Sequence, residues 1–305
     1  MKIKKYSPVI AFVYSRPKHA KKMLLALRKN SLAKYTDLII YSDGAKNKKD
    51  EPGVQAVRNY ISTLTGFRSV TVVMQEKNIG LANSIIKGVT ATVKKYGRVI
   101  VLEDDIETSP YFLEYMNDAL NMYVDVKSVA SISASSYPVA MNNSDQTTYL
   151  LRIPLCWGWA TWEDRWSMFK KDINAVDSID KRIQNYINFD GAFDFFEQAT
   201  LNAKGKLNTW FIFWYITLAS KELLTLFPTK VMAKNIGHDG SGENCDDNDI
   251  YKNTMISNER VILTLKETLV EDKDYYLAHV KYFKKIKKNH VLKFFSYVKR
   301  KIIGA

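Results

Sequence analysis

A run of apolar residues that stops abruptly at three acids constrains this chain more than any other feature. Residues 98–105 read RVIVLEDD, so a short strand-like segment, 98–102, is followed at once by Glu103, Asp104 and Asp105. Adjacent carboxylates cannot lie in an apolar core, because burial and mutual repulsion both disfavour their ionised forms. The strand must therefore end at an edge of the fold where a cation or a set of hydrogen-bond donors meets the acids.

Acids in this position predict a metal and phosphate site. Mg²⁺ and Mn²⁺ prefer carboxylate oxygens, and a cation held by one or two carboxylates keeps coordination positions for substrate phosphates. In open α/β sheets, ligands also bind at the carboxyl ends of the strands. The alternative is an acidic cap on a helix begun by Ser109 and Pro110, both ordinary start signals. That alternative explains Glu107 and Ser109 but not three acids flush with a strand.

Strand-like and helix-like segments alternate through the first half of the chain. Short apolar segments rich in β-branched residues predict strands at 9–15, 37–42, 69–75, 98–103 and 129–134. Helical spacing and composition predict helices at 19–30, 54–64 and 80–96. Repeated strand, helix, strand units imply an α/β fold with a mixed, mostly parallel sheet flanked by helices on both faces.

The composition is that of a folded protein with a sizeable core. The chain has 305 residues, 46% of them hydrophobic, which suits one large α/β domain or two small ones. Its cysteines, Cys156 and Cys245, are too few and too scattered for a disulfide framework or a zinc site, so a reducing compartment is expected. The longest apolar stretch, 210–219, is about half of what a bilayer needs. The lysine-rich start, 1–17, lacks a cleavage site and predicts a first strand rather than a signal peptide.

The net charge of +13 belongs mostly to the end of the chain. Residues 275–305 carry nine Lys or Arg and no acid, interleaved with aromatic and aliphatic residues. This pattern predicts that 281–303 lies in the headgroup region of an anionic membrane. Two alternatives stay open. One is a terminal helix packed on the domain with a solvated basic face; the other is nucleic-acid binding, which we do not expect.

Two segments of the second half are candidates for ligand contact. Residues 157–166 hold four tryptophans within ten positions. Clustered indoles form either flat platforms that suit sugars or a core cluster. Residues 236–247, IGHDGSGENCDD, contain three glycines among small polar residues, which predicts either a lid over a ligand or an ordinary surface loop. The glycine spacing matches neither a P-loop nor the dinucleotide fingerprint.

Four segments resemble, in order, the GT-A fold glycosyltransferases, particularly the N-acetylglucosaminyltransferase I type and similar bacterial sugar transferases. They are SPVIAFVYSRP at 7–17, YSDG at 41–44, KNIGLANSI at 77–85 with VIVLEDDIETSPYFLEYM at 99–116, and WGWATW at 157–162 with NIGHDGSGENC at 235–245. The acidic triplet followed by a helix with aromatic residues is the most specific of these matches.

The resemblance implies a nucleotide and metal site in the first half of the chain. Ser15 and Arg16 would face the nucleotide, and Asp43 would approach its base. Asp105 would hold a Mn²⁺ or Mg²⁺ ion that bridges the donor diphosphate, with His238 as a second candidate ligand. Such a cation stabilises the charge that builds on a departing nucleoside diphosphate.

The remaining donor contacts implied by the resemblance lie at the acidic triplet, the tryptophan segment and the glycine loop. They are Glu103, Asp104, Trp157, Gly240 and Ser241. Glu103 and Asp104 would bond hydroxyls of the donor sugar or ribose. The loop at 237–244 would fold over the donor.

The sequence departs from the N-acetylglucosaminyltransferase I type at the acceptor base. That type carries an aspartate just after a tryptophan, whereas the matching run at 210–214 reads WFIFW and contains no carboxylate. Another GT-A group has its base in a Gly-rich Trp segment ending in Glu-Asp, which WGWATWED matches with Glu163 and Asp164. These two residues are the candidate bases for an inverting transfer. Alternatively, both lie on the surface of a helix and take no part in the reaction.

Together these features predict a metal-dependent glycosyltransferase that moves a sugar from a nucleotide-sugar donor to a glycan or lipid-linked acceptor in surface polysaccharide synthesis. We expect a GT-A catalytic domain at 1–250, with a nucleotide half at about 1–135 and an acceptor half at about 136–250, then a C-terminal helical extension and basic tail at 251–305. The expected location is cytoplasmic, peripheral on the inner face of the membrane.

Two other functions compete with this prediction. A nucleotidyltransferase would share the α/β sheet and the acid-bound metal, but it usually carries an early glycine-rich basic loop, which this sequence lacks. A non-catalytic module would bind membranes or nucleic acid through the basic tail. The WFIFW run favours that module, whereas the acidic triplet argues against it.

Overall fold

The computed structural model describes residues 6–139, 141, 146–239 and 254–287. The strands in these residues are β1 (Val9–Val13), β2 (Asp37–Ser42), β3 (Ser69–Met74), β4 (Arg98–Glu103), β5 (Ile106–Thr108), β6 (Val129–Ser133), β7 (Thr148–Leu151), β8 (Trp159–Trp162), β9 (Leu224–Pro228) and β10 (Ala233–Asn235). The α-helices are α1 (Pro17–Arg28), α2 (Glu51–Ser62), α3 (Leu81–Tyr96), α4 (Phe112–Met122), α5 (Glu163–Trp166), α6 (Lys181–Ile187), α7 (Glu197–Ala203) and α8 (Phe211–Ser220). A further helix occupies residues 273–287, and we call it the C-terminal helix.

The main sheet orders its strands β3-β2-β1-β4-β8-β6-β9-β7. The strands β1 to β4 are parallel to one another, and β8 is antiparallel to both of its neighbours, β4 and β6. The strand β9 is parallel to β6, while β7 is antiparallel to β9. Within the described chain, only β7 and β8 oppose the other strands of this sheet, which confirms the predicted mixed, mostly parallel sheet. We call the edge at which β1 to β4 end the carboxyl edge.

The elements predicted in the first half of the chain are confirmed to within three residues at each end. Their helix and strand patterns are local and strong, so local sequence suffices to place them. The helix expected to begin at Ser109 and Pro110 is α4, which begins at Phe112. The Ser109 hydroxyl accepts a hydrogen bond from the backbone N–H of Tyr111 at 3.1 Å and donates one to the carbonyl of Ser257 at 2.7 Å.

The sheet is buried on both faces because alternate residues of its strands pack into different cores. In β1, Val9, Ala11 and Val13 pack on the side covered by α1, α2 and α4. Ile10 and Phe12 point the other way and pack against α3 and α8. Side chains alternate between the two faces of a strand, so a strand covered on both sides reads as one uninterrupted apolar run.

A separate aromatic core lies at the β7 end of the sheet, and the C-terminal helix helps to form it. The buried residues of this helix are Tyr275, Tyr276, His279, Val280, Phe283 and Ile286. They recur every three or four positions and therefore form one helix face. Phe283 and Ile286, which the sequence suggested for membrane contact, are 1% and 8% exposed. For 281–287 the packed-helix alternative is thus the correct one, whereas 288–303 lies outside the described residues.

The exposed side of the C-terminal helix is basic. Lys281, Lys284, Lys285 and Lys287 all lie on it. Among the residues that the structure describes, every helix is too short or too polar to traverse a lipid bilayer.

A two-stranded sheet of β5 and β10 links the two halves of the chain beside the carboxyl edge. The strand β10 pairs antiparallel with β5, and Asn235 lies opposite Ile106. The backbone N–H of Ile236 then donates to the carbonyl of Asp105 at 2.8 Å. The start of the predicted glycine loop is thereby fixed against the acidic triplet.

Candidate functional site

Parallel pairing brings the predicted donor-site residues together at the carboxyl edge. The strands β1, β2 and β4 pair in register and end side by side. The predicted residues that follow these three strands are Ser15, Arg16, Asp43, Asp104 and Asp105. Ligands bind at this edge in open α/β sheets, so the described fold offers one candidate site here.

Arg16 contacts two of the three acids directly. Its Nη2 donates to Oδ2 of Asp105 at 2.7 Å and also donates to Oδ1 of Asp104. Its Nε donates to Oδ2 of Asp104 at 3.3 Å. Both carboxylates are buried. The guanidinium therefore neutralises part of the negative charge that the triplet brings to the end of β4.

Burial raises the pKa of two acids of the triplet, Glu103 and Asp104. Burial, followed by the charges of Asp105 and Asp104, raises the pKa of Glu103 to about 8. Burial also raises the pKa of Asp104, although the hydrogen bond from Arg16 acts in the opposite direction. Glu103 consequently keeps its proton near neutral pH. A protonated carboxyl group both donates and accepts hydrogen bonds, which is what contact with sugar hydroxyls requires.

The glycine loop begins against the carboxylate of Asp105. A Cβ atom at Gly237 would lie 2.2 Å from Asp105 Oδ2 and 3.0 Å from Arg16 Nη1, so the residue must lack a side chain. The side chain of Asn235 holds this approach, because its Oδ1 accepts a hydrogen bond from the Gly237 N–H at 2.7 Å. The backbone therefore forms one wall of the site directly beside the acids.

Asp43 lies at the carboxyl edge as predicted, but its carboxylate is held by backbone groups. Its Oδ1 accepts hydrogen bonds from the N–H groups of Gly44 at 2.9 Å and Ile79 at 3.0 Å. Its Oδ2 accepts one from Gly80 at 2.9 Å, immediately before α3. The carboxylate thus joins the end of β2 to the start of α3. Its approach to a nucleotide base remains a prediction.

The turn after β1 is packed against the start of α2. A Cβ atom at Gly53 would lie 2.4 Å from the carbonyl oxygen of Ser15. The hydroxyl of Tyr14 donates to Asp50 at 2.8 Å and accepts from the backbone of Lys46 at 2.9 Å. These contacts fix the backbone of the turn that carries Arg16.

Of the four tryptophans in residues 157–166, Trp157 lies at the site. It precedes β8, whose first residue, Trp159, pairs with Val101 near the end of β4. Its half-buried ring meets the ring of His238 edge-on, with centroids 5.8 Å apart. Gly237, the neighbour of His238, contacts Asp105. The strand order therefore brings Trp157 and the glycine loop to the same edge.

The other three tryptophans of the segment belong to the core, so the core-cluster alternative holds for them. Trp159, Trp162 and Trp166 are all buried. The Nε1 atoms of Trp162 and Trp166 donate to Leu120 O at 3.2 Å and Thr90 Oγ1 at 2.9 Å. Most of the cluster stabilises the fold rather than contacting a ligand.

Glu163 and Asp164 do not lie at the site, which corrects their prediction as acceptor bases. They follow β8, which runs antiparallel to β4 and places Trp162 opposite Arg98. Five residues separate Arg98 from Glu103, so at about 3.3 Å per residue the two ends of β4 are roughly 17 Å apart.

The surroundings of Asp164 agree with a position on the helix surface. Its carboxylate is half-exposed and binds Lys127 Nζ at 2.8 Å and Arg165 Nη1 at 2.9 Å. Burial alone would raise its pKa, but the hydrogen bonds from Lys127 and Arg165 lower it. A catalytic base works best with a pKa near the operating pH, so this environment is also chemically unfavourable.

The carboxylates of Asp104 and Asp105 fit a divalent cation of the predicted kind. They are adjacent and buried, and they already share one positive group, the guanidinium of Arg16. Among the described residues, no set of three or more His, Cys, Asp or Glu side chains converges as a metal site, so His238 does not complete one. A cation bound by one or two carboxylates and by substrate phosphates does not need such a set. Asp105, the expected ligand, would hold the cation. Asp104, which the resemblance assigned to the donor sugar or ribose, would share it, because both carboxylates contact Nη2 of Arg16.

Two of the predicted donor contacts belong to the part of the glycine loop beyond Asp239. Gly240 and Ser241 lie outside the described residues, as does the rest of the predicted lid beyond Asp239. The described part of the loop ends with a contact between Asp239 Oδ2 and His19 Nε2, which lie 3.2 Å apart. Closure of the loop over a donor therefore stays a prediction.

Sequence reasoning missed three residues that shape the site. His19 ties the loop to α1 through its contact with Asp239. Asn235 holds the backbone of the glycine loop. Arg58 of α2 donates to the carbonyls of Asp43 at 3.2 Å and Gln75 at 2.6 Å, which joins the ends of β2 and β3. Arg58 could have been noticed in the sequence as an arginine next to the apolar positions of a predicted helix. No comparable pattern marks His19 or Asn235.

Comparison with known proteins gives only distant similarities. No protein-family model matches the sequence, and no curated protein matches it. The chain is similar to TarS of S. aureus, with 17% sequence identity and a TM-score of 0.32 over 47% of this chain and 24% of that chain. It therefore spans about a quarter of the length of TarS.

Two further solved structures are similar over more of their length. One is the mannosyltransferase PcManGT from Pyrobaculum calidifontis in complex with GDP-Man and Mn²⁺, with 13% identity and a TM-score of 0.39 over 71% of this chain and 74% of that chain. The other is UDP-glucose pyrophosphorylase complexed with UDP-glucose, with 12% identity and a TM-score of 0.36 over 72% of this chain and 90% of that chain. Both of these structures hold a nucleotide sugar.

Proposed function

We propose that this protein is a metal-dependent glycosyltransferase. It moves a sugar from a nucleotide-sugar donor to a glycan or lipid-linked acceptor in the synthesis of a surface polysaccharide. It acts in the cytoplasm, on the inner face of the membrane, with the basic segment at 288–305 toward anionic lipid. The resemblance of its four sequence segments to the N-acetylglucosaminyltransferase I type is the basis for naming this reaction.

The proposal rests on one observation. Two buried carboxylates, those of Asp104 and Asp105, lie at the carboxyl edge beside the side chain of Arg16 and the backbone of Gly237. Arg16 supplies the positive charge and Gly237 the wall. Buried acids at a strand end are costly to the fold unless they are compensated. Their presence where α/β sheets bind ligands therefore supports a site for a phosphorylated, cation-bound molecule.

Each residue of the site has a chemical task in this reaction. Asp104 and Asp105 would hold Mn²⁺ or Mg²⁺, which stabilises the negative charge on the departing nucleoside diphosphate. Arg16 can donate to phosphate oxygens through its planar guanidinium. The carboxyl of Glu103 can hydrogen-bond a hydroxyl of the donor sugar. The ring of Trp157 can pack on the apolar face of a sugar.

The stereochemical outcome rests on the resemblance alone. We propose inversion, although Asp164 and Glu163 lie at the wrong edge of the sheet to serve as its base. The anomeric configuration of the product, read by NMR from the coupling constant of the new glycosidic bond, tests this point. A product with the donor's configuration would show that transfer is retaining.

Binding of nucleoside diphosphates tests the proposal directly. We expect UDP, GDP, CDP or ADP to raise the melting temperature with Mn²⁺ present but not with EDTA. A ligand at 100 times its dissociation constant stabilises a protein by about 2.7 kcal/mol, which a thermal melt resolves. If no nucleotide shifts the melt under either condition, the site is not a donor site. That result would favour a non-catalytic module.

The rival enzyme class is a nucleotidyltransferase, and the products of the reaction distinguish the two. Against this rival, residues 14–16 between β1 and α1 read Tyr-Ser-Arg and contain no glycine, whereas nucleotidyltransferases usually bind phosphate with a glycine-rich loop there. A glycosyltransferase releases nucleoside diphosphate from the nucleotide sugar. A nucleotidyltransferase supplied with nucleotide sugar and pyrophosphate forms nucleoside triphosphate and sugar phosphate. Chromatography of the nucleotide products therefore decides between them.

A further inference from the structure

Arg16 lies where a cation can compensate the negative charge of two buried carboxylates, those of Asp104 and Asp105. Its Nη2 alone contacts both Asp104 and Asp105, and its side chain is only 18% exposed. Burial by itself would lower the pKa of Arg16, but the hydrogen bond and charge of Asp104, followed by those of Asp105, raise it. The guanidinium is thus a permanent positive charge built into the site.

The carboxylate oxygen that faces Arg16 is crowded. Asp105 Oδ2 accepts a hydrogen bond from Arg16 at 2.7 Å, and the backbone of Gly237 is so close that a Cβ atom there would lie 2.2 Å from it. A divalent cation that binds the same oxygens must therefore meet the guanidinium. Two positive charges in contact repel each other more strongly beside buried groups than in water.

We propose that Arg16 is the resident counter-ion of Asp104 and Asp105 and competes with a divalent cation for them. This inference rests on the proposed function, because it concerns the cation of the same site. In the free protein the guanidinium holds the carboxylates, so Mn²⁺ alone binds weakly. The arginine must leave at least one carboxylate before the cation binds.

The free end of the guanidinium indicates what draws Arg16 away. Within the described residues, Arg16 Nη1 is buried and has no hydrogen-bond partner. A phosphate oxygen is a strong acceptor for such a group, and a diphosphate offers Arg16 a new anionic partner. Binding of a diphosphate then releases the carboxylates to the cation. Each ligand raises the affinity of the other by the same factor, as thermodynamic linkage requires.

The variant Arg16→Gln tests the competition without any nucleotide. It removes the positive charge and keeps a polar side chain. We expect Mn²⁺ alone to bind this variant about tenfold more tightly than wild type, a typical size for coupling within one site. Isothermal titration calorimetry with MnCl₂ measures the affinity. In EDTA the variant should melt at a lower temperature than wild type, and Mn²⁺ should restore more of its stability.

Two further variants complete the experiment. Arg68→Gln is the matched control, because Arg68 also pairs with an aspartate, Asp37, but lies at the opposite edge of the sheet. Its Mn²⁺ affinity should equal that of wild type. Arg16→Lys keeps the positive charge but loses the planar guanidinium that contacts both acids. Its Mn²⁺ affinity should therefore rise by a smaller factor than that of Arg16→Gln. This variant also serves if Arg16→Gln does not fold.

The competition is overturned if neither Arg16 variant binds Mn²⁺ more tightly than wild type, or if Arg16→Gln loses Mn²⁺ binding. Adding UDP or GDP separates this result from the proposed function. If Arg16→Gln gains Mn²⁺ affinity but no nucleotide binds wild type, the counter-ion role stands and the donor function fails. If nucleotide raises the Mn²⁺ affinity of wild type but hardly that of Arg16→Gln, both stand.

Discussion

At the scale of single residues, the site contains two different ways to stabilise a buried carboxylate. Asp43 accepts hydrogen bonds from backbone N–H groups at the start of α3, so its charge is tied to the local fold. Asp104 and Asp105 instead share the side chain of Arg16. A side chain can move and a backbone turn cannot easily do so. The second arrangement is therefore the one that suits exchange with a ligand.

Replacement of Asp105 should remove metal-dependent nucleotide binding. Asp105→Asn keeps the shape of the side chain but removes the charge that a hard divalent cation requires. Loss of groups that only orient a metal ligand costs about 10- to 100-fold in affinity, so loss of a ligand should cost at least as much. Calorimetry with nucleoside diphosphate and Mn²⁺ measures the change. Unaltered Mn²⁺-dependent affinity would show that Asp105 is not the ligand.

Asp164→Asn is the matched control for Asp105→Asn. It also tests whether Asp164, which lies away from the carboxyl edge, takes part in the reaction. Its half-exposed carboxylate pairs with Lys127 and Arg165, and an exposed ion pair contributes about 0 to 1 kcal/mol. We expect sugar transfer and nucleotide binding to stay near wild-type levels. A loss of transfer by two or more orders of magnitude, with donor binding intact, would restore Asp164 as the base.

At the scale of elements, the segment before the C-terminal helix closes the free side of β7. The N–H of Asp272 donates to the carbonyl of Leu150 at 2.8 Å, and Glu271 pairs with Arg152 at the end of the strand. The helix that follows buries its aromatic face against α6 and β7. This segment protects an edge strand that could otherwise pair with other chains.

Acidification should loosen the C-terminal helix through His279. The ring is buried between Tyr137, Tyr149 and Phe189, with Nδ1 2.6 Å from the carbonyl of Tyr275. Burial lowers the pKa of His279 from 6.5 to about 4, because the charged form is poorly solvated there. The unfolded chain therefore binds a proton more readily, and stability is lost as the pH falls from 6.5 to 4.

The size of this effect can be measured by urea unfolding at several pH values. The lowered pKa corresponds to about 3 kcal/mol between the two limits. His279→Phe keeps an aromatic ring but cannot bind a proton, so the loss of stability between pH 6.5 and 4 should be smaller in this variant. An equal loss in wild type and variant would assign the pH dependence to other groups.

At the scale of the whole molecule, the basic end of the chain divides into two parts with different tasks. Residues 273–287 complete a core, with their lysines on the outer side. Residues 288–305 carry five further Lys or Arg and no acid. We therefore expect any membrane contact to involve the second part, and removal of the first part to damage the fold.

Two truncations should separate these tasks. Removal of 288–305 should leave the melting temperature near that of wild type and release the protein from vesicles that contain anionic lipid. Each Lys or Arg near such a surface contributes about 1 kcal/mol, and the attraction should weaken with salt. Removal of 281–305 should instead destabilise the protein by several kcal/mol, because Phe283 and Ile286 leave the core.

Co-sedimentation with vesicles and thermal melts measure both outcomes. Vesicles of neutral lipid are the control for the first truncation. If the chain without 288–305 still sediments with anionic vesicles, its membrane contact lies elsewhere on the molecule. If the chain without 281–305 melts like wild type, the C-terminal helix is not part of the stabilising core.

The sequence by itself determined the elements of the first half and the position of Glu103, Asp104 and Asp105 at a strand end. Both follow from patterns over a few neighbouring residues, and parallel strands joined by helices necessarily end at one edge.

Only the tertiary structure decided which other side chains lie beside those acids. The reversed direction of β8 carries Trp157 to the site and Asp164 away from it, and strand direction depends on distant pairing. Likewise, the apolar face of the C-terminal helix fits a membrane or a core equally well by sequence. The structure selects the core because an aromatic surface formed by distant parts of the chain is there to receive it.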